Sequence, residues 1–197
     1  MTITYFGYGS LVNLDTLPPK ADATPGRLKG WVREWRVCGE GSEGQGRCAL
    51  SIREDPGKEI WGVMVREPRT GLEELERREK RYRKVGSLGV SFRCDTAQDE
   101  GPGDLFVFVA APEHYRWGTE THPILQSYLD CVLAGFYRLW GKDGIEHFLE
   151  TTEGWHVPVL KDRHAPVYPR AVTLDEQVRD AIDMATKSHG LNFIGPR

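Results

Sequence analysis

One carboxylate and one glycine-rich turn have the residue types and spacing to do chemistry. Leu72, Leu75, Glu79 and Tyr82 recur at intervals of 3, 4 and 3, which on a helix sets a glutamate within an inward-facing stripe. A carboxylate held away from water has its pKa raised toward neutrality, as a group that both takes and gives a proton requires. The competing reading pairs Glu79 with Arg83 one turn on, and spacing alone leaves both open. In the run Tyr5-Phe6-Gly7-Tyr8-Gly9-Ser10-Leu11, a β-rich segment meets a tight loop. Gly7 and Gly9 would let backbone approach a ligand closely, and the N–H groups beside them could hold an anionic oxygen. A plain tight turn accounts for either glycine equally well, and a core aromatic accounts for Tyr8.

Other chemistries find little support. Gly39-Glu40-Gly41-Ser42-Glu43-Gly44 matches G-x-G-x-x-G, but it carries two acids where a pyrophosphate would lie and leads into a strand, so a hairpin loop is expected. Ser10 lacks the flanking glycines of a nucleophile elbow. The six histidines show no H-E-x-x-H or paired spacing, so no metal and no cofactor is expected, and His156 and His164 read as loop or packing residues. The basic run Arg77, Arg78, Lys80, Arg81, Arg83 and Lys84 could suggest RNA. Glu73, Glu74 and Glu76 are interleaved with it at helical spacing, and a solvated, internally paired helix face is expected instead.

The elements that must position these residues begin with strands over residues 2–7, 31–38, 48–53 and 59–65, joined by Gly-rich and Asp-Pro-Gly connections. A helix is expected over residues 71–82, and strands over residues 85–94 and 105–110 either side of an acidic loop. From His122, Ile124, Leu125, Tyr128, Leu129, Val132, Leu133 and Phe136 recur at helical spacing. A short second helix over residues 144–150, a Pro-rich ordered loop over 157–169 and a last helix over 175–187 follow. One α+β domain over residues 1–197 with a mixed or barrel-like sheet is expected.

The net charge of −3 gives no overall field to draw nucleic acid or an anionic membrane, so a small-molecule partner is expected. Cys38, Cys48, Cys94 and Cys131 show no C-x-x-C pair and read as reduced thiols. With no leader-like amino terminus and no apolar run of spanning length, a cytoplasmic protein is expected. Oligomeric state is not encoded in these patterns.

The loop at residues 5–11 resembles the amino-terminal signature of the γ-glutamylcyclotransferase superfamily, which includes AIG2-like and ChaC-like proteins. Trp61-Gly62-Val63 resembles its V-W-G-V strand. Leu75-Glu76-Arg77-Arg78-Glu79, followed by Tyr82-Arg83-Lys84-Val85, resembles its L-D-x-x-E and Y-x-x-V segments. Pro123 to Tyr128, with Gly135 beyond, resembles its P-S-x-x-Y helix followed by a glycine. The resemblance runs through residues 2–140 in order and leaves 141–197 as a less diagnostic helical and loop portion. It departs where Glu76 replaces the usual Asp and Lys80 follows Glu79, changes that remove no reacting group.

What the resemblance implies is a small mixed β-barrel with flanking helices, and release of 5-oxoproline when a γ-glutamyl α-amino group attacks its own γ-carbonyl. Glu79 would be the base and acid. Tyr5, Phe6, Gly7, Tyr8, Gly9, Ser10 and Leu11, with Tyr128, would bind the substrate. The amine released could be an amino acid, a peptide such as Cys-Gly, or an alkylamine. The alternative is a non-catalytic relative that binds a γ-glutamyl ligand.

Overall fold

β-branched and aromatic residues recur through the amino-terminal third, and in the computed structural model the segments that carry them pair into long strands. The structure describes residues 1–39, 46–95 and 104–195. Strand β1 (Thr2–Gly7) runs antiparallel to β3 (Arg47–Pro68), which runs antiparallel to β2 (Asp22–Gly39) along almost its whole length. The G-x-G-x-x-G loop between them lies outside the described residues, except Gly39 at the end of β2.

Asp55-Pro56-Gly57, expected to be a hairpin connection, instead bulges from β3. The register passes from Lys29↔Glu59 to Trp31↔Glu54 around Gly30, whose φ of 83° favours glycine. Pairing resumes on both sides, so the expected strands over residues 48–53 and 59–65 form one strand.

Helix α1 (Leu72–Arg78) is shorter than expected, because Tyr82 does not continue it but opens strand β4 (Tyr82–Val85). Residues 85–94 do not form one strand either. The chain leaves β4, turns through Ser87 at φ 65° and a 3-10 turn, and forms strand β5 (Phe92–Cys94) on the edge of β2. β4 pairs with β6 (Val107–Ala110) in a two-stranded ribbon. That ribbon is stitched to β1 where the Phe6 N–H donates to the Phe106 carbonyl at 2.8 Å and the Phe106 N–H donates to Thr4 at 3.2 Å. The segment carrying Glu79 is thereby brought beside the loop that follows β1.

Strand β7 (Ile124–Leu125) leads into helix α2 (Gln126–Glu150), which breaks at Gly141 with φ 64° and so accommodates the expected long and short helices in sequence. Short strands β8 (Thr152–Glu153), β9 (Val159–Leu160) and β10 (Phe193–Ile194) add parallel pairs to the main sheet. Helix α3 (Glu176–Ser188), capped by the Asp175 carboxylate, packs on α2. Among the described residues the main sheet has eight strands in an open path, β10-β9-β7-β3-β2-β5, with β1 on β3 and β8 on β2. The fold is α+β.

Two glycines set close approaches on which the site depends. A β-carbon at Gly62 would lie 2.4 Å from the Gly7 carbonyl oxygen, and one at Gly135 would lie 2.4 Å from the Asn13 nitrogen. The first lets β1 and β3 hold the loop, and the second seats α2 on the turn just beyond it. Among the described residues no helix is long and apolar enough to cross a membrane.

Candidate active site

The turn after β1 is held from below and behind. The Thr16 hydroxyl donates to the Ser10 carbonyl at 2.8 Å, and the Asn13 side-chain amide donates to Cys131 of α2 at 3.0 Å. A recess of about 60 Å³ opens above it, lined by every residue from Tyr5 to Leu11 together with Glu79 and Tyr128, and by Leu50, Tyr82 and Phe108. The structure therefore brings all nine residues singled out in the sequence to one place. Not all present their side chains alike. The Phe6 ring packs edge-on against Phe92 in the core, and the Tyr5 ring packs against Phe106, so these two border the recess chiefly as backbone.

Glu79 caps the carboxyl end of α1, where its N–H donates to Leu75 and its carbonyl accepts from Tyr82. The pairing with Arg83 one turn on does not form, because Arg83 lies on β4 opposite Val109. One oxygen of Glu79 instead meets Nε of Arg78 at 3.4 Å, a long contact, and the side chain is 18% exposed. Burial raises its pKa, outweighing the opposing pull of Arg78 and, further off, Arg170. The shift is in the direction that makes a carboxyl group a stronger base than an exposed one.

Three phenols surround it. Tyr8 donates to the Phe108 carbonyl at 2.7 Å and Tyr82 to the Leu50 carbonyl at 2.8 Å, while the Tyr128 hydroxyl stands 3.0 Å from where a Gly9 β-carbon would be. Burial drives all three hydroxyls well above the ordinary tyrosine value, and the charge on Glu79 pushes the same way, so they remain protonated donors.

A larger cavity of about 360 Å³ shares Ser10, Glu79, Tyr82 and Tyr128 with the recess. Arg47, Arg78, Lys80, Arg81 and Arg170 all border it. Part of the basic run expected on a solvated helix face thus turns toward the site, while Arg77, Arg83 and Lys84 remain exposed. Arg170 directly follows the Pro-rich loop. Its Nη2 donates to the Ser10 hydroxyl at 3.0 Å, whereas its Nη1 and the Nη2 of Arg78 are buried without a hydrogen-bond partner among the described residues.

Nothing in the sequence placed Arg170 at the site, nor Tyr168, whose ring lies 4.9 Å from that of Tyr128. Their placement depends on Asp162. Its carboxylate accepts from the Ser127 N–H at 2.8 Å at the start of α2, from the Ser127 hydroxyl at 2.5 Å and from the Val167 N–H at 2.9 Å. Tyr82, by contrast, was marked by the stripe that marked Glu79. Among the described residues no cluster of histidine, cysteine and acidic side chains could hold a metal ion.

A model of the ChaC-like protein family matches residues 3–134, more than half of the chain. The chain belongs to the ChaC-like family. Among curated proteins none matches the sequence. A solved γ-glutamyl cyclotransferase superposes with a TM-score of 0.56 at 16% identity, over 93% of this chain and 99% of the other. An uncharacterized protein of Homo sapiens gives 0.56 at 18% identity, over 92% and 98%. YkqA of Bacillus subtilis gives 0.52 at 19% identity, over 78% of this chain and 56% of its own. At these identities the likeness concerns the fold that this ChaC-like chain shares with them.

Proposed function

We propose that the protein is a γ-glutamylcyclotransferase in which Glu79 is both base and acid. The observation that carries this reading is a largely buried carboxylate with a raised pKa, in the same recess as the glycine loop. In the proposed reaction Glu79 takes a proton from the substrate's α-ammonium group, and the freed amine attacks the γ-carbonyl carbon. The five-membered tetrahedral adduct then collapses as Glu79 returns that proton to the departing nitrogen, and the ring nitrogen's surplus proton passes to the released amine, leaving 5-oxoproline and an ammonium product. Nucleophile and electrophile belong to one molecule, so the task is to hold a flexible chain folded with the reacting atoms at about 3–3.5 Å.

The backbone of residues 7–11 is the proposed seat of the α-carboxylate or the developing oxyanion, with the Tyr128 and Ser10 hydroxyls as further donors. The protein's own partners to Ser10 and Tyr8 hold those walls fixed. The amine portion would occupy the larger cavity, where Arg47, Lys80, Arg81 and Arg170 favour a leaving group bearing a carboxylate, an amino acid or peptide, over an alkylamine. The four cysteines are unbridged, in keeping with a reducing, cytoplasmic setting.

The test is release of 5-oxoproline by wild type and Glu79→Gln, offered glutathione, γ-glutamyl-alanine and a γ-glutamylamine in parallel. Expected are turnover of the first two by wild type and a loss of roughly 100-fold or more in kcat for the variant. Unaltered turnover by Glu79→Gln would remove Glu79 from its role. Binding of γ-glutamyl compounds without turnover by wild type would favour a non-catalytic binding protein.

A further inference from the structure

Behind the glycine loop lies a cation that meets no anion among the described residues. Arg33 on β2 is fully buried, and its guanidinium carbon stands 5.0 Å from the ring centres of both Phe136 and Phe148. Its three hydrogen-bond acceptors are neutral: the Tyr8 carbonyl from Nε at 3.1 Å, the Thr151 hydroxyl from Nη1 at 2.8 Å, and the Trp61 carbonyl from Nη2. Other partly buried arginines of the protein rest on carboxylates, Arg53 on Glu34 and Glu153 and Arg163 on Asp130 and Asp183. Among the described residues Arg33 makes no such pair. Burial lowers its pKa to about 9, which leaves it charged at neutral pH. Neighbouring His147 is held neutral, its pKa lowered to about 3 by burial first and by the charge of Arg33 next. A buried charge without a counterion is unfavourable unless something offsets it.

The placement of Nε shows what Arg33 acts on. The peptide bond between Tyr8 and Gly9 is trans, so its carbonyl and its N–H point in opposite directions. With the Tyr8 oxygen drawn back onto Arg33, the Gly9 N–H is directed away from it, at a residue that lines the recess next to the Tyr128 hydroxyl. A cation on the oxygen of a peptide also polarises it, which makes its N–H the stronger donor. We propose that Arg33 is a positioning residue for an anionic oxygen of the bound γ-glutamyl group: it fixes the Tyr8–Gly9 peptide and strengthens the Gly9 N–H that receives that oxygen. The inference rests on the cyclotransferase reading above and adds to it a residue that touches no substrate.

Arg33→Met keeps an apolar body of similar length and removes both the charge and the donors, while Arg33→Lys keeps the charge and loses the planar fork. Each is made alone for turnover of γ-glutamyl-alanine, and together with Glu79→Gln for calorimetric binding of the same compound without its consumption. Expected for Arg33→Met is a fall of about 10- to 100-fold in kcat/KM, with about tenfold weaker binding in the Glu79→Gln background. Arg33→Lys should recover part of both, and its retained charge makes it the working variant if Arg33→Met does not fold. Glycine labelled with ¹⁵N gives a reading that a purely structural role would not move. The Gly9 amide resonance of Glu79→Gln should shift on adding γ-glutamyl-alanine, and shift less once Arg33 is also changed. Wild-type turnover together with unchanged kinetics, binding and Gly9 response in both variants would overturn the role of Arg33 alone. A wild type that neither binds nor converts any γ-glutamyl compound would overturn the cyclotransferase reading, and this inference with it.

Discussion

Two of the glutamates that this protein withdraws from water have surroundings that differ in kind. Glu34, on β2, is 1% exposed and saturated. It accepts from Arg53 Nε at 3.1 Å and from the Tyr115 hydroxyl at 2.5 Å, with Arg36 Nη1 at 3.7 Å. Arg53 in turn reaches Asp55 and Glu153, so the carboxylate belongs to a network that holds the end of β8 and the bulge of β3 to β2. The Tyr115 hydroxyl is pushed up to about 12, first by burial and then by its bond to Glu34. Glu79 has one long contact with Arg78, phenols committed elsewhere and an open cavity at its side. A carboxylate whose two oxygens are each held by a fixed donor can hold structure but is not free to turn to a substrate. An under-satisfied one weakens the fold slightly and retains the basicity that proton transfer needs.

The sharpest division between them is expected on substitution. Glu79→Gln should lose roughly 100-fold or more in kcat, whereas Glu34→Ala should leave turnover per folded molecule within about twofold. The stability effects should be inverted. Removing Glu34 strands the Tyr115 hydroxyl and loosens two arginine contacts, so urea unfolding should show a loss of about 1–3 kcal/mol. A Glu34 variant that unfolds at the wild-type midpoint would mean that its network is redundant.

Arg170 should give an intermediate effect. It borders the larger cavity, donates to Ser10, and keeps one nitrogen buried without a hydrogen-bond partner among the described residues. Arg170→Met is therefore expected to raise KM for γ-glutamyl-alanine by about tenfold while changing kcat by less, as loss of a binding contact would. A γ-glutamylamine, which offers no distal carboxylate, should register the change less. Equal effects on both substrates would assign Arg170 to holding the loop instead of reading the amine portion.

The glycine loop and Glu79 were legible in the sequence because each is local. A strand meeting Gly7 and Gly9, and a stripe of 3, 4 and 3, need no knowledge of distant contacts. The same stripe misled about secondary structure, since Tyr82 keeps its inward place by pairing with Ala110 in a ribbon rather than by extending α1. Tertiary pairing overrode helical propensity there. Arg170 and Tyr168 were illegible for the opposite reason. They sit in a loop without period, placed by Asp162 reaching back 35 positions to Ser127. Arg33 lay in plain view on an expected strand as one charged residue among several, and only its three neutral acceptors set it apart. The Asp-Pro-Gly segment carried a correct turn signal but in the wrong context, because β2 continues opposite it and turns a hairpin into a bulge.

The smallest expected effect bears directly on the contrast between the two glutamates. Burial raises the folded-state pKa of Glu79 above its ordinary 4.5, so the folded protein binds that proton more tightly than the unfolded chain does. The stability contributed is therefore fully present below pH 4.5 and is lost as pH rises through the folded value. At neutral pH the carboxylate is charged in the unfolded chain and burial opposes that charge in the folded protein, a cost that Glu79→Gln lacks, so the variant should be the more stable of the two. At pH 4, where the wild-type side chain is protonated, the difference should nearly vanish. Urea midpoints for both proteins at the two pH values measure it, with Glu34→Gln as the contrasting pair. A Glu79→Gln protein less stable than wild type at neutral pH would mean that the Arg78 contact outweighs burial, and would make Glu79 a structural carboxylate of the same kind as Glu34.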